Sequence, residues 1–349
     1  MRLLSRIAMR LVETGFMPDF LIRLGLRALN WARLYSEHRG DLESRGDAFR
    51  TLLARLRLSP ITVAEEQGAR SHYEVPQEFF SRVLGPRLRY TCCYYPFGSE
   101  SLEDAEESML RLTAERARLE NGLKILDLSC GWGDLTLWMA ERFPEARITA
   151  VTRSVVQCQH VTRLARQRDL KNVEVVVSDL AHFFAAKKYD RIIAIETLER
   201  CRNYQELMRR IAGWLEDGGL FFAHMFMHRE LAYVYESISD DDWMGKRFFT
   251  GGLMPSDDLL LHFQDEMSIV DHWRLSGLHY AMTAEHWLQR LDASRADLLP
   301  ILEEIYGKTR GTLWFHRWRA FFLSIAEMFG CWGGEEWGVS HYLFRKRRL

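Results

Sequence analysis

Apolar positions change their spacing along the chain, and the changes divide it. From the first residue to about residue 58, apolar side chains recur every three or four positions, punctuated by Arg2, Arg6, Arg10, Arg23, Arg27 and Arg33. That is the period of amphipathic helices. Pro18 falls where a first helix would break from a second. Residues 59–70 are polar and read as a linker. Ser71-His72-Tyr73-Glu74-Val75-Pro76 follows, and later Leu88-Arg89-Tyr90-Thr91-Cys92-Cys93-Tyr94-Tyr95-Pro96-Phe97, dense in Tyr and Cys and without helical period. Such loops are packed aromatic clamps or the lining of a ligand pocket. Leu102, Ala105, Met109 and Leu112 restore the helical spacing, with Glu103 and Asp104 in the first turn, and predict a helix over 101–119.

From Lys124 onward the pattern alternates. Apolar runs predict strands near 124–129, 147–152, 173–178, 189–196 and 219–226, and helical periods fall near 135–143, 154–169 and 204–216, the last ended by Gly218-Gly219. Alternation of this kind is the signature of a doubly wound parallel sheet. Residues 229–265 form a long insertion holding Asp240-Asp241-Asp242, Trp243 and Phe248-Phe249-Thr250-Gly251-Gly252, a candidate substrate cap. Two further strands, over 268–275 and 337–344, suggest an antiparallel edge, with helices near 284–292, 297–306 and 312–329 between them.

In doubly wound sheets the ligand lies across the carboxyl ends of the strands. Polar residues follow each predicted strand: Asp127 to Asp134, then Thr152, Ser154 and Gln157, then Ser178 and Asp179, then Glu196 and Glu199, then His224 and His228. The first of these groups is a Gly-rich turn, Ser129-Cys130-Gly131-Trp132-Gly133, ahead of a helix whose free N–H groups face it, and it suits a nucleotide-like ligand. Ser154 also reads as a helix cap.

The 349 residues are 47% hydrophobic, enough for one large or two modest cores. With 47 basic and 48 acidic residues, no global field recruits nucleic acid. Cysteines 92, 93, 130, 158, 201 and 331 show no metal-ligand spacing and fit free thiols in a reducing cytoplasm. No apolar run approaches the roughly 20 residues of a membrane span, and Arg6 and Arg10 interrupt any signal-peptide core. The basic N-terminal helices read either as a peripheral membrane contact or as a lid with a solvated Arg face. Glu13, Asp19 and Glu37 dilute their charge and favour the lid.

Several motifs carry a family resemblance: His72-Tyr73-Glu74-Val75-Pro76, Tyr90-Thr91-Cys92-Cys93-Tyr94, Cys130-Gly131-Trp132-Gly133, Tyr189-Asp190-Arg191-Ile192, Asp241-Asp242-Trp243, Phe248-Phe249-Thr250-Gly251-Gly252, His279-Tyr280 and Gly334-Glu335-Glu336-Trp337. In this order, from about residue 40 onward, the chain resembles the cyclopropane fatty acid synthase superfamily of S-adenosylmethionine-dependent methyltransferases, and most of all its coclaurine N-methyltransferase branch. The resemblance implies an α/β fold, a class I Rossmann-like methyltransferase with a mainly parallel seven-stranded sheet. Its parts would be a helical lid region over 1–115, a cofactor-binding core over 116–228, and a substrate cap with the completing strands and helices over 229–349.

The resemblance also implies a site for S-adenosylmethionine. Tyr90 and Thr91 would close over its methionine end, Gly131 and Gly133 would lie beneath it, and Asp127 would position the turn. Thr152, Ser154 and Gln157 would serve the ribose and adenine, and Asp179 the adenine amino group. Ser129 stands where the family usually has Gly, and at a position needing φ > 0 a Ser costs about 1 kcal/mol or more.

For the chemistry, the amine-methylating branch carries Glu-x-x-Glu-His at the mouth of the fourth strand. The resemblance implies that Glu196 binds a substrate ammonium and that Glu199 handles the proton. Arg200 replaces the His, and an arginine cannot act as a base at neutral pH. It could pair with Glu199 and lower its pKa, repel a cation, or join a surface ion pair with Glu199 and Arg202. A second set, from the lipid branch, would hold a bicarbonate base with Cys92, Glu199, His224 and Tyr280. Three functions are therefore weighed: N-methylation of a small aromatic-ring amine, with Trp243, Phe248, Phe249, Trp273, Tyr280 and Trp337 as candidate ring contacts; cyclopropanation or C-methylation of an unsaturated acyl chain; and cofactor binding without chemistry. They rank in that order, and a homodimer is left open.

Overall fold

The computed structural model describes residues 9–62, 75–235, 248–249 and 251–347. The motifs at 72–74, at 240–243 and at Thr250 lie outside the described residues, as does Trp243 among the expected ring contacts.

The chain enters through a helical stretch over 9–14, then helices α1 (Asp19–Glu37), α2 (Leu42–Leu58), α3 (Gln77–Val83) and α4 (Leu102–Arg116). Pro18 occupies the N-cap of α1, where its missing N–H is harmless. The alternating region follows: β1 (Lys124–Leu128), α5 (Asp134–Arg142), β2 (Arg147–Thr152), α6 (Val155–Gln167), β3 (Val173–Val177), β4 (Tyr189–Ile195), α7 (Tyr204–Trp214) and β5 (Leu215–His228). A two-stranded ribbon, β6 (Tyr233–Val234) and β7 (Leu253–Met254), precedes β8 (Met267–Ser276), α8 (Leu278–Ala293), α9 (Arg295–Tyr306), α10 (Gly311–Phe329) and β9 (Trp337–Lys346).

Seven strands form one sheet in the order β3-β2-β1-β4-β5-β9-β8. The first five run parallel, and β9 lies antiparallel between β5 and β8. β1 sits at the point where strand order reverses, and both its faces are covered: Ile125 joins the core beneath α4 and α5, Leu126 and Leu128 the core beneath α7. That explains its unbroken apolar run. One expectation fails. α7 ends at Trp214, not at Gly218-Gly219, and β5 begins at once with Leu215 opposite Tyr189. Pairing resumes at Arg191 with Leu220, so Glu216 to Gly219 form a bulge in which Gly218 takes φ +78°.

The N-terminal helices also depart from expectation. Several of their arginines, Arg27 and Arg50 among them, are exposed, but part of the set pairs with the body of the protein. Arg23 bonds Glu285 of α8 and Glu327 of α10, and Arg27 bonds Glu327. Arg319 of α10 returns the pairing to Asp19. Apolar side chains face solvent too: Phe16, Phe20, Leu24, Trp31 and Tyr35. Ion pairing across the seam holds α1 against α8 and α10 and leaves these apolar side chains exposed beside it.

Candidate active site

A cavity of about 280 Å³ opens at the carboxyl ends of β1, β2 and β4, where the reversal of strand order leaves a crevice. Tyr90, Thr91, Ser129, Gly131, Thr152, Ser154, Gln157, Asp179, Glu196, Arg200 and Tyr280 line it. Of the expected site residues, Asp127, Gly133, Cys92, Glu199 and His224 do not.

The turn after β1 is built from left-handed residues: Ser129 at φ +84°, Gly131 at +54° and Gly133 at +86°. They serve different ends. A Cβ at Gly131 would meet nothing within 4 Å, because the position faces the open cavity. A Cβ at Gly133 would lie 2.6 Å from Val161 of α6, so this glycine permits helix packing rather than lying under a ligand. Asp127 is buried and accepts from Thr136 Oγ1 at 2.5 Å, tying the end of β1 to α5. Burial pushes its carboxyl up to about 7. Ser129 keeps a side chain where the backbone favours none, so Ser129→Gly is expected to raise stability by about 1 kcal/mol. A urea titration reads this as a higher midpoint at unchanged slope; an unchanged or lower midpoint would show that the hydroxyl compensates.

On the β2 side Thr152 Oγ1 donates to Gln157 Oε1 at 2.7 Å, and Ser154 caps α6 through the Gln157 amide. Asp179 accepts from the Ala181 amide at 2.8 Å. Thr91 Oγ1 is buried without a partner. An orphaned hydroxyl, a Gly131 cradle open to the cavity and short polar groups after three strands together fit a cofactor with a ribose and a charged tail.

Arg89, fully buried and not anticipated, holds the Tyr90–Tyr95 loop in place. Its Nη1 bonds Asp134 at 2.6 Å and its Nε bonds the Cys92 carbonyl at 3.0 Å.

The Glu196 backbone lies at φ +44°, a strained conformation for a glutamate and one met often at functional sites. Its carboxylate collects three groups. The Cys92 amide donates to Oε1 at 2.9 Å, the Tyr280 hydroxyl donates to Oε2 at 2.7 Å, and His224 Nε2 stands 3.3 Å from Oε1. Burial beside this carboxylate pushes the Tyr280 hydroxyl well up, so it stays a donor. Burial holds His224 below its usual value, favouring the neutral ring. Three of the four residues expected to hold bicarbonate thus gather around Glu196. Cys92 contributes its amide, since its Sγ donates to the Cys93 carbonyl.

Glu199 stands apart. It is fully buried, Oε1 accepts from the Phe226 amide at 2.7 Å, and Oε2 has no partner. Burial and then the Glu196 charge push its carboxyl well above the usual range, and the opposing Arg200 charge does not reverse this. Arg200 pulls the carboxyl down as expected, but desolvation outweighs it. A surface ion pair with Arg202 is excluded: Glu199 and Arg202 are both buried, and Arg202 donates to the carbonyls of Gly251 and Gly252. Arg200 lines the cavity with its guanidinium 5.0 Å from the Phe249 ring centre.

Phe248, Phe249 and Tyr280 line the cavity as expected, with Phe226, Phe321 and Phe329, which sequence reasoning missed. Trp273 and Trp337 do not. Trp273 packs under Arg116, and Trp337 bonds the Tyr233 hydroxyl inside the core.

The family model for mycolic acid cyclopropane synthetase matches residues 62–320. The chain belongs to the mycolic acid cyclopropane synthetase family. Within it, the chain is 39% identical over 340 residues to (S)-coclaurine N-methyltransferase of Thalictrum flavum subsp. glaucum, covering 96% of this chain and 94% of the relative. It is 33% identical to (S)-coclaurine N-methyltransferase of Papaver somniferum, covering 97% of each. A crystal structure of coclaurine N-methyltransferase bound to N-methylheliamine and SAH superposes with a TM-score of 0.92 at 38% identity, covering 97% of this chain and 98% of that one. This family member is therefore a methyltransferase that draws its methyl group from S-adenosylmethionine. Its fold is the mixed α/β fold with a mostly parallel seven-stranded sheet expected of class I methyltransferases. No described helix is long and apolar enough to cross a membrane, and no described His, Cys, Asp and Glu residues group to hold a metal.

Proposed function

We propose that this enzyme methylates the nitrogen of a small aromatic-ring amine. The observation that carries the reading is the placement of the Glu196 carboxylate. The Cys92 amide and Tyr280 hydroxyl that would grip a bicarbonate in the lipid-type site instead grip a side chain of the protein itself. A carboxylate held in this way is a counter-ion for an ammonium and an acceptor for the proton an amine sheds, beside aromatic faces that favour cations. The cyclopropane-forming alternative would need that place for its bicarbonate.

In this reading Tyr90, Thr91 and Gly131 hold the methionine end of S-adenosylmethionine, Thr152, Ser154 and Gln157 the ribose and adenine, and Asp179 the adenine amino group. The cofactor, when bound, supplies an electrophilic methyl group. Glu196 orients the amine and takes its proton. Glu199, favoured in its neutral form, positions β5 through the Phe226 amide instead of serving as base. Residues 1–115 act as a lid region, 116–228 as the cofactor-binding core, and 229–349 as cap and completing elements. Six free thiols support a cytoplasmic setting. The exposed apolar side of α1 supports contact with a membrane surface or a second copy.

The test incubates the enzyme with methyl-deuterated S-adenosylmethionine, arylalkylamines including benzylisoquinolines, and unsaturated phospholipid vesicles. An amine carrying the intact deuterated methyl is expected by mass spectrometry. A lipid product lacking one of the methyl deuteriums would replace this reading with cyclopropanation.

A further inference from the structure

Behind Glu196 runs a line of side chains that the reaction as described does not use. His224 of β5 and His341 of β9 are register partners, and His341 Nε2 lies 2.9 Å from His224 Nδ1. Arg116, at the last turn of α4, places Nη1 2.9 Å from His341 Nδ1. Both histidines are fully buried.

The polarity of this line follows from its outer end. A guanidinium has donors and no acceptor. His341 Nδ1 must therefore accept, which puts the ring proton of a neutral His341 on Nε2. That proton is donated to His224 Nδ1, which in turn places the His224 proton on Nε2, the nitrogen 3.3 Å from Glu196 Oε1. We infer that Arg116 and His341 are positioning residues that fix His224 as its Nε2–H tautomer and so keep a proton, not a lone pair, on the nitrogen 3.3 Å from the Glu196 carboxylate, whose alignment here falls short of a hydrogen bond.

Burial holds both rings below their usual values, His341 well below, consistent with neutral imidazoles. The charged groups acting on the pair are Arg116 from α4, Arg89 from the preceding loop and Glu196 after β4, with Cys92 and Tyr280 reaching Glu196 on its other sides. Arg116 is steadied over the Trp273 ring at 4.9 Å. The line does not export protons, because a guanidinium at its end cannot accept one. Its effect is orientation, as a carboxylate orients the histidine of a catalytic triad. Without Arg116 the imidazoles can exchange tautomers, and the alternative turns a His224 lone pair toward the carboxylate.

This inference rests on the amine-methylating reading for its kinetic arm only. The ring tautomers are read directly, by two-bond proton–nitrogen correlation spectra of the full chain labelled with 15N-histidine, using His224→Gln and His341→Gln to assign the signals. Both rings are expected to carry the proton on Nε2. Arg116→Met is expected to populate the other tautomer at His224, to move the acid limb of kcat/KM upward by about one pH unit and so to lower kcat/KM near that limb about tenfold. His341→Gln keeps an acceptor for Arg116 and a donor for His224, and is expected to retain the wild-type profile, whereas His341→Leu follows Arg116→Met. A packing role would lower the stability of all three variants without moving the pH profile. An Nδ1–H tautomer at His224 in the wild-type enzyme, or a wild-type pH profile in Arg116→Met, overturns the inference. If the wild-type enzyme methylates no amine, the ring nitrogens still decide the tautomer, and the acceptor reading alone falls.

Discussion

Glu196→Gln is expected to lower kcat/KM for amine methylation by roughly 100-fold or more, the scale of a lost acid–base group, while affinity for SAH stays within about twofold of wild type. The carboxylate accepts from the Cys92 amide and the Tyr280 hydroxyl and faces His224. A carboxamide has the same shape but presents an NH₂ on one side, so one of the converging donors meets another donor. It also removes the negative charge that pairs with a substrate ammonium. Both losses fall on the acceptor half of the cavity, whereas the expected cofactor contacts after β1, β2 and β3 are untouched. Steady-state kinetics with calorimetric titration of SAH separate the two. Wild-type kcat/KM in this variant would remove Glu196 from the chemistry, and a parallel loss of SAH affinity would show that the substitution collapsed the site.

Gly131→Val is expected to abolish cofactor binding. The backbone there sits at φ +54°, and the added side chain would enter open cavity. A β-branched residue in the left-handed region costs about 1–3 kcal/mol, which lowers the urea midpoint. The three added carbons then occupy the space a ligand needs, and SAH affinity is expected to fall more than about 100-fold, some 3 kcal/mol. Gly131→Ala distinguishes the two effects, since it carries much of the backbone strain with one carbon. Calorimetry showing unchanged SAH affinity in the valine variant would place the cofactor elsewhere.

The inner strands of the parallel half were legible because β1, β2 and β4 are largely buried on both faces and read as apolar runs bounded by turns, and the edge strand β3 was legible from its valines alone. Their site residues were legible for a topological reason: the carboxyl ends of such strands open on one crevice. β5 was harder, because the residues after its first, Glu216 and Asp217, bulge out of the ladder and carry no strand period. The β6–β7 ribbon, two residues a side, has no period to detect.

Residue roles were less legible than positions. Glu196 and Glu199 are three apart in sequence, yet one lines the cavity and the other points into the core. Spacing alone does not tell that Glu199 falls within a 3₁₀ turn, Leu198–Arg200, and Glu196 ahead of it. Gly131 and Gly133 look alike in the turn, and only the neighbouring Val161 separates their duties. His341 carried no signal, since its proximity to His224 depends on an antiparallel register spanning 117 residues.

That register has a consequence for how the molecule matures during synthesis. β9 is the last strand of the sheet to be made, yet it lies inside the sheet, between β5 and β8. Until residues 337–346 leave the ribosome, β5 has an unpaired edge and β8 has no strand to join. A nascent chain could assemble the cofactor crevice from β1 to β4 well before then, but His341 reaches His224 only at the final step. Binding and turnover would thus be acquired in sequence, with the nascent chain exposing a sticky edge in the interval.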